Sequence, residues 1–419
     1  MNVEHPARRA NGKVLGLTCV KCGREVSPEE SETVCPSCGI EGILDVLYDY
    51  QKIGQSWRKA DLSADRENSL WRYFPLLPVG QRQSAPPLRA GWTPLYSLPQ
   101  MARQLGLGSL HIKDDGINPT ASFKDRASCV AVARAREQGA SRIACASTGN
   151  AASSLAGMAA SVGLPCDIFV PRRAPAAKVA QLLIFGARVF SVDGAYDDAF
   201  DLSLELIDAL GAYNRNCAIN PYLVEGKKTA AFEICEQMNW QVPDYVVTSV
   251  GDGCIISGLW KGFNDFYRLG FIERLPVLVA VQAEHCQPVV QALASGTFVQ
   301  SGTDTIADSI AVGIPRNRLK ALRALRESHG LAAAVPDAAI LDAMRSLGRN
   351  GIFAEPAGAT GFAGFLKLAS DGAFASGARV VVLVTGSGLK DSRTAGIAAG
   401  SPIDVPKSAE AVLRIIRGS

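Results

Sequence analysis

The chain is organised around one stretch of nine residues, Asn118-Pro119-Thr120-Ala121-Ser122-Phe123-Lys124-Asp125-Arg126. Proline disfavours the helical conformation of the residue before it, so Asn118-Pro119 predicts a turn. Ser122 is a typical cap for a following helix, and Asp125 suits the first helical turn, where negative charge is favourable. Lys124 is therefore predicted to project from a strand-to-helix junction, where α/β folds often place their chemistry.

A lysine at such a junction can serve either of two purposes. If Lys124 is partly desolvated, its amine becomes reactive enough to form a Schiff base with a carbonyl compound. If it is exposed, it is an ordinary solvated surface charge. The local stretch favours neither interpretation over the other.

Three further motifs accompany this lysine, namely Gly91-Trp92-Thr93-Pro94-Leu95, Ser147-Thr148-Gly149-Asn150 and Thr385-Gly386-Ser387-Gly388-Leu389-Lys390-Asp391. Taken together with it, they resemble the threonine synthase family of pyridoxal-phosphate (PLP) enzymes, of fold type II, over roughly residues 14–400. The resemblance implies that Lys124 carries PLP as a Schiff base and moves protons as a general base and acid once the substrate amine has displaced it.

Short apolar, β-branched runs alternate with helical patterns from Ser109 onward. Strands that are apolar on both faces and separated by helices are typical of a parallel sheet covered on both sides, so we predict an α/β fold. The predicted strands are 111–113, 142–147, 167–170, 188–192, 245–250, 277–282 and 380–385. The predicted helices are 176–185, 197–210, 229–238 and 256–269.

The resemblance implies two α/β domains, each a parallel sheet between two layers of helices, with the cofactor in the cleft between them. The small domain is expected at 142–240, and the large domain at 91–141 together with 241–419. Residues 1–50 are expected to form a zinc-ribbon-like segment. Residues 51–90, which include a proline-rich stretch, are expected to form an extended linker.

The predicted ribbon contains two cysteine pairs, Cys19-x-x-Cys22 and Cys35-x-x-Cys38, separated by twelve residues and each followed by glycine. Four thiolates at this spacing suit tetrahedral zinc, and because they leave no open position the metal would be structural. The alternatives are a ribbon that has lost its metal and a nucleic-acid module. Either would suit a non-catalytic binding protein.

Ser147-Thr148-Gly149-Asn150 ends a predicted strand and opens a helix. The free amides and partial positive charge of a helix N-terminus suit the α-carboxylate of an amino-acid substrate. We therefore predict substrate contacts at Ser147, Thr148 and Gly149, together with Ser122. The resemblance implies that the Asn150 side chain contacts the 3-hydroxyl of PLP. The alternative is that Asn150 only caps the helix.

A loop of small residues, Gly251-Asp252-Gly253-Cys254-Ile255, also follows a predicted strand and opens a helix. The amides of such a loop can surround a phosphate. The resemblance implies that this loop holds the phosphate of PLP. The alternative is an ordinary tight turn.

Thr385 ends the last strong strand, and the resemblance implies that its hydroxyl meets the pyridine nitrogen of PLP. A neutral hydroxyl does not keep that nitrogen protonated, which favours elimination and replacement over transamination. Glu355-Pro356-Ala357-Gly358-Ala359-Thr360 resembles a further family segment near the active site. Glu355 could equally begin a helix.

Threonine synthases act on O-phosphohomoserine and must bind a second phosphate. Where the family has an arginine and an asparagine for this purpose, this chain has Leu223 and Ile255. A phosphate buried beside apolar side chains is costly, unless Lys227 or Lys228 compensates. We predict threonine synthase activity. The alternative is β-elimination or β-replacement on another small amino acid, as in a serine or threonine ammonia-lyase or a cysteate synthase.

The composition is ordinary for a soluble protein of two or three domains, with 419 residues that are 47% hydrophobic and 20% charged. The net charge of +3 is too small to predict nucleic-acid or membrane binding, and no run of 18 apolar residues predicts a spanning helix. Residues 1–13 lack an apolar signal core, and the eleven cysteines are an odd number, so we predict a cytoplasmic protein. The expected partners are a small amino-acid substrate and, by analogy, a second copy in a homodimer.

Overall fold

The computed structural model of the protein describes residues 12–174, 176–194 and 196–417. Most of the N-terminal stretch that lacks a predicted signal core, residues 1–11, lies outside the described residues. Within the described part of the chain, no helix is long and apolar enough to cross a membrane.

Four antiparallel strands open the described chain, namely β1 (Val14–Cys19), β2 (Glu25–Val26), β3 (Val34–Cys35) and β4 (Gly39–Tyr48). They form one sheet in the order β2-β1-β4-β3. This sheet is the predicted ribbon-like segment, and the predicted cysteines lie in and between its strands.

Residues 51–90 differ from the extended linker that the proline-rich composition predicts. Most of their large apolar side chains are buried, and the Tyr73 ring lies 5.1 Å from the Phe232 ring and 6.1 Å from the Phe266 ring, centroid to centroid. Because burial of these rings outweighs the preference of proline for extended backbone, the segment folds onto the body of the protein. Its elements are α1 (Tyr50–Ser56), α2 (Lys59–Ala64) and 3-10 turns at Leu70–Leu76 and Arg82–Ser84.

The smaller of the two α/β sheets is wholly parallel and lies within the predicted small domain, and its order is β10-β7-β8-β9. Its strands are β7 (Ile143–Ala146), β8 (Cys166–Pro171), β9 (Arg188–Val192) and β10 (Tyr213–Asn214). Its helices are α5 (Asn150–Ala160), α6 (Ala176–Ile184) and α7 (Tyr196–Ala209).

The larger sheet has six strands in the order β13-β12-β11-β14-β6-β5, and only the edge strand β5 is antiparallel. Its strands are β5 (Leu95–Ser97), β6 (Ser109–Asp114), β11 (Tyr245–Ser249), β12 (Val277–Ala283), β13 (Leu331–Val335) and β14 (Arg379–Val384). The remaining helices are α3 (Pro99–Gln104), α4 (Lys124–Glu137), α8 (Tyr222–Lys227), α9 (Thr229–Gln237), α10 (Cys254–Arg268), α11 (Pro288–Ser295), α12 (Arg318–Glu327), α13 (Asp337–Arg349), α14 (Pro356–Ser370), α15 (Ser392–Ala399) and α16 (Ala409–Arg417).

The α/β prediction is confirmed, and each predicted strand and helix exists within two residues of its predicted bounds. The strands β5, β10 and β13 were not predicted. The first two are too short to show a pattern, and β13 is rich in alanine, which has low strand propensity. β13 forms because five of its residues pair with β12. The exact domain boundaries remain a prediction.

Candidate active site

The loops that follow β6 and β14 meet because these two strands are parallel neighbours in register, with Asp114 opposite Val384. Parallel strands have their carboxyl ends at the same edge of the sheet. Two main-chain hydrogen bonds join the loops: Phe123 N donates to Thr385 O at 2.9 Å, and Ser387 N donates to Ala121 O at 3.0 Å. These bonds hold the backbone just before Lys124 against the loop that begins at Thr385.

The segment before α14 joins the same point. Glu355 N donates to Gly386 O at 3.0 Å, and Gly388 N donates to Phe353 O at 2.9 Å. A Cβ atom at position 386 would lie 2.1 Å from Glu355 Oε1, so only glycine allows this approach. Three segments that are far apart in sequence therefore bring Lys124, Thr385 and Glu355 together.

Lys124 is the first residue of α4, as the strand-to-helix prediction requires, but the predicted cap is wrong. The N-cap residue is Phe123, and no side chain caps the helix. The Ser122 hydroxyl is buried without a hydrogen-bond partner among the described residues. Asp125 instead binds the preceding turn, since its carboxylate accepts from Thr120 N at 2.7 Å and from Thr120 Oγ1 at 2.5 Å. Ser122 is excluded from capping because the chain reaches the helix through a tight turn whose backbone is set by Ala121, with φ of 64°.

A cavity between the two α/β sheets contains every residue that we predicted to bind the cofactor. Ser122, Ser147, Thr148 and Gly149 do not line it; the last three lie between β7 and α5 and are half-buried. The predicted residues in the lining are Lys124, Asn150, Gly251, Asp252, Gly253, Cys254, Ile255 and Thr385. Lys227 and Glu355, which the sequence analysis named as further candidates, also line it. The lining also includes residues that sequence reasoning did not name, among them Cys217, Ser249, Ser309 and Ile310.

The glycine loop gives one end of the cavity the geometry of an anion-binding site. Gly253 has φ of 86° and is the N-cap of α10, and no side chain caps this helix. A Cβ atom would lie 2.7 Å from Ala321 Cβ at position 253, and 3.0 Å from Ile310 Cα at position 251. The N-terminal amides of α10 are thus left for a ligand, and the helix dipole favours a negative one.

Asp252 places a carboxylate in this loop, where an anion would repel it. Its Oδ1 accepts from Arg316 N at 3.2 Å, which directs the carboxylate toward residues 316–317. Burial raises the pKa of Asp252, so its negative charge is disfavoured.

Asn150 is the first residue of α5 rather than its cap, and its side chain reaches across the cavity. Nδ2 of Asn150 donates to Glu355 Oε1 at 2.7 Å. Burial, together with the nearby Asp308 carboxylate, raises the pKa of Glu355 to about 7, although the Lys124 ammonium acts in the opposite direction. Glu355 is also the N-cap residue of α14, so it both lines the cavity and begins a helix.

Lys124 and Lys227 both line the cavity, where the charge of Lys227 acts on Lys124. Burial lowers the pKa of Lys124, and the positive charge of Lys227 lowers it further. Lys227 is fully buried, and its Nζ lies 3.5 Å from Cys217 Sγ. Lys124 is therefore closer to the neutral amine that a nucleophile or base must be.

The sequence contained one signal for Lys227, namely the adjacent pair Lys227-Lys228. Lys228 pairs with Glu225 at 2.5 Å and with Asp265 at 2.7 Å. Adjacent helical residues point about 100° apart, so two neighbouring lysines cannot both enter the same cavity. The sequence did not reveal which of the two does, nor that Cys217 lies beside it.

The four predicted ribbon cysteines converge. The Sγ atoms of Cys19, Cys22, Cys35 and Cys38 all lie within 4.8 Å of one another. Four sulfurs around a zinc ion at about 2.3 Å would be about 3.8 Å apart, so the cluster has the size that the metal requires.

The fold and its lysine-containing cavity define a class of enzyme. Residues 87–386 match the model of the pyridoxal-phosphate dependent enzyme family. The chain is 40% identical over 404 residues to the threonine synthase of Methanocaldococcus jannaschii, covering 95% of this chain and 98% of that protein. It is 39% identical over 407 residues to the threonine synthase of Methanosarcina acetivorans, covering 96% and 98%. The chain therefore belongs to the threonine synthase family, and it is a PLP-dependent lyase of the threonine-synthase-like type.

The solved structures show how far the fold extends beyond this family. Diaminopropionate ammonia lyase from Escherichia coli has a TM-score of 0.64 and 20% identity, covering 76% of this chain and 89% of that chain. At this identity the likeness shows the shared fold alone. The family membership favours an enzyme over the alternative of a non-catalytic ribbon protein.

Proposed function

We propose that the protein converts O-phosphohomoserine to L-threonine and phosphate with PLP held on Lys124. The observation that carries the proposal is the convergence of Lys124, Asn150, Thr385 and the loop 251–255 on one cavity. Relatives named threonine synthase that align over nearly the whole chain support the same activity.

The residues present fit PLP. Lys124 would hold the aldehyde carbon, Asn150 the 3-hydroxyl, Thr385 the ring nitrogen, and the amides of the loop 251–255 the phosphate. Ser249 Oγ also lines the cavity and has no hydrogen-bond partner among the described residues, which leaves it available to a polar ligand. When bound, PLP supplies an electron sink for negative charge at the substrate Cα.

Lys124 has the surroundings of a proton carrier. Because burial and Lys227 lower its pKa, a larger share of Lys124 is neutral near pH 7 than in a solvated lysine. A neutral Nζ can accept a proton from the substrate Cα and return it at a later step. The N-terminus of α5, which begins at Asn150, would bind the α-carboxylate that orients this carbon.

Lys227 is our candidate for the cation that binds the substrate phosphate. Leu223, at the position of the family's arginine, is fully buried and does not line the cavity, while Ile255 lines it with an apolar side chain. Lys228 is already neutralised by two carboxylates. Lys227 is left as a buried cation that faces the cavity, and it is positioned to replace the missing arginine.

The Lys227→Gln variant tests this assignment. Loss of one charged contact predicts a KM for O-phosphohomoserine that rises about 10- to 100-fold, with a smaller change in kcat. The exposed Lys367→Gln variant is the control and should match the parent. If Lys227→Gln instead weakens PLP binding and leaves KM unchanged, Lys227 serves the cofactor and the assignment is wrong.

A second function is favoured by the apolar side chain of Ile255 in the lining. It is β-elimination or β-replacement on a small amino acid without this phosphate, as in a serine or threonine ammonia-lyase or a cysteate-synthase-like enzyme. Product analysis separates the two. Phosphate and threonine from O-phosphohomoserine support the first function, whereas a 2-oxo acid and ammonia from serine or threonine support the second.

We also propose that the cysteine cluster of the ribbon holds a structural zinc ion. Three features support this: the four-thiol donor set, its spacing and the absence of an open coordination position. Metal analysis of the purified protein should find about one zinc per chain. A Cys35→Ser variant should lose the metal and the protease resistance of residues 14–48, and zinc content at the parent level in that variant would contradict the assignment.

The protein is further proposed to act in the cytoplasm, as a homodimer, without nucleic-acid or membrane partners. None of the eleven cysteines, all of which lie in the described part of the chain, forms a disulfide, which suits a reducing compartment. Light scattering of the purified enzyme would test the dimer, and a monomer mass would refute it.

A further inference from the structure

The cavity contains a pair of cysteines for which the proposed reaction has no use. Cys217 lies in the loop between β10 and α8, and Cys254 is the first residue of α10. Their Sγ atoms are 3.6 Å apart, and both residues line the cavity. They belong to different elements, so their approach is a product of the tertiary structure.

We propose that Cys217 and Cys254 are an oxidation site that forms a reversible disulfide, and that this disulfide weakens cofactor binding in the cavity. The proposal rests on the proposed function only in its second half, where the loop 251–255 is taken to bind the phosphate of PLP. Formation of the bond itself does not depend on that assignment.

The surroundings favour one thiolate beside one thiol. The Cys217 and Cys254 sulfurs share a hydrogen bond, and the cations Lys227 and Arg215 lie close by, so the pKa of Cys217 is lowered well below its usual value. The same contact, together with burial, raises the pKa of Cys254. A thiolate next to an intact thiol is the arrangement that reacts first with an oxidant and then closes a disulfide.

The oxidant we name is hydrogen peroxide. The Cys217 thiolate attacks one peroxide oxygen, the O–O bond breaks, and the departing hydroxide takes up a proton as water. Cys254 sulfur then attacks the sulfenic sulfur of Cys217, the S–S bond forms, and the hydroxyl leaves with the Cys254 proton as a second water. The two thiols lose two electrons, and the peroxide gains them. A dithiol reverses the change by exchange.

Closing the bond alters the anion-binding end of the cavity. The two sulfurs must move from 3.6 Å to about 2.05 Å, which draws residue 254 toward the loop that carries Cys217. Gly253, the residue before it, already lies against Ala321 and Asn317 without room for a Cβ atom, so the loop has little freedom to adjust. Oxidation also removes the thiolate that faces Lys227.

The test treats reduced holoenzyme with hydrogen peroxide, alkylates the remaining thiols and maps disulfides by mass spectrometry without reduction. Trypsin with chymotrypsin, cutting after Trp240 and Tyr245, separates Cys254 from Cys235. The expected product is a Cys217 peptide joined to a Cys254 peptide. PLP affinity, measured by equilibrium dialysis, should fall at least about tenfold and recover with dithiothreitol.

Two variants make the result decisive. Cys217→Ala should give no linked peptide and should keep its PLP affinity after peroxide, relative to its own untreated sample. Cys286→Ala, which removes a buried cysteine outside the cavity, should behave like the parent. If Cys217→Ala does not fold, the parent's peptide map and PLP affinity decide alone. The proposal is overturned if only ribbon cysteines oxidise, if the link forms without loss of PLP affinity, or if Cys217→Ala stays as sensitive as the parent. Failure to bind PLP before any oxidation would instead refute the proposed function.

Discussion

Two of the basic residues of helix α4, Lys124 and Arg126, have opposite surroundings. Two positions along a helix correspond to a rotation of about 200°, so one side chain faces the cavity and the other faces away from it. Arg126 is fully buried in a charge cluster, where it pairs with Asp115 at 2.6 Å and with Glu233 at 2.8 Å. In the same cluster Lys113 pairs with Glu233 at 2.6 Å. We call this set of four side chains the Arg126 cluster.

The Arg126 cluster balances two cations with two carboxylates and lies in the protein interior. The cavity instead holds its ionisable groups away from their usual charge states. Burial raises the pKa values of Glu355 and Asp252 and lowers that of Lys124, and Lys227 faces the Cys217 sulfur. A balanced buried cluster can only hold the scaffold, whereas a cavity in which the carboxylates are disfavoured and helix amides are free provides a place for an anion. PLP and phosphorylated amino acids are both anions.

The largest expected effect comes from the cavity side. The Lys124→Ala variant loses both the attachment point of PLP and the proposed base, so activity should fall by about 10⁴-fold, with the fold unchanged. Borohydride treatment in the presence of PLP should label Lys124 in the parent and leave the corresponding peptide of the variant unlabelled. If other lysines of the parent are labelled as strongly as Lys124, or if Lys124→Ala is active, Lys124 is not the attachment point. The proposed difference between the two faces of α4 is then wrong.

The next effect comes from the Arg126 cluster. Glu233→Gln removes a charge that neutralises both Arg126 and Lys113, and leaving buried cations without their carboxylate should cost about 3–5 kcal/mol of unfolding free energy. Denaturant unfolding of the apoprotein measures it. The control is Asp371→Asn, in an exposed pair with Lys367, which should change stability far less. A loss of similar size in both variants would show that the cluster does not stabilise the scaffold.

The smallest effect depends on pH. The folded pKa of Glu355 is about 7, and an unfolded glutamate has a pKa of about 4.3. Between these values the folded state holds a proton that the unfolded state has lost, so the contribution of Glu355 to stability decreases as pH rises through this window. The total is about 4 kcal/mol at 1.36 kcal/mol per pKa unit. The stability of the Glu355→Gln variant relative to the parent should therefore be higher at pH 8 than at pH 5.

Unfolding of both apoproteins by denaturant at the two pH values measures this gain. An exposed substitution, Glu410→Gln, is the control and should show the same difference from the parent at pH 5 and pH 8. If the Glu355→Gln difference is also independent of pH, Glu355 is ionised like a surface carboxylate. Burial in the cavity then does not disfavour its negative charge.

Much of this molecule could be predicted from local sequence. The turn at Asn118-Pro119 led correctly to a helix that begins at Lys124, and the cysteine spacing led to a cluster of four sulfurs. The cofactor-binding candidates each follow a strand, and parallel strands end at one edge of their sheet, but only the packing of the two sheets brings Asn150 to the others. The prediction was wrong for the cap at Ser122 and for the linker at 51–90, where tertiary packing outweighed local preference.

The sequence by itself determined the bounds of seven strands and four helices to within two residues, and which of their junctions carry reactive side chains. These features depend on steric and apolar patterns over a few neighbouring residues. Only the tertiary structure decided which charges are balanced: Arg126 meets Glu233, Asn150 meets Glu355, and Lys227 meets a thiol while its neighbour meets two carboxylates. The physical reason is that the pKa and the energy of a buried charge depend on groups within a few ångströms, and most of these groups lie far away in the chain.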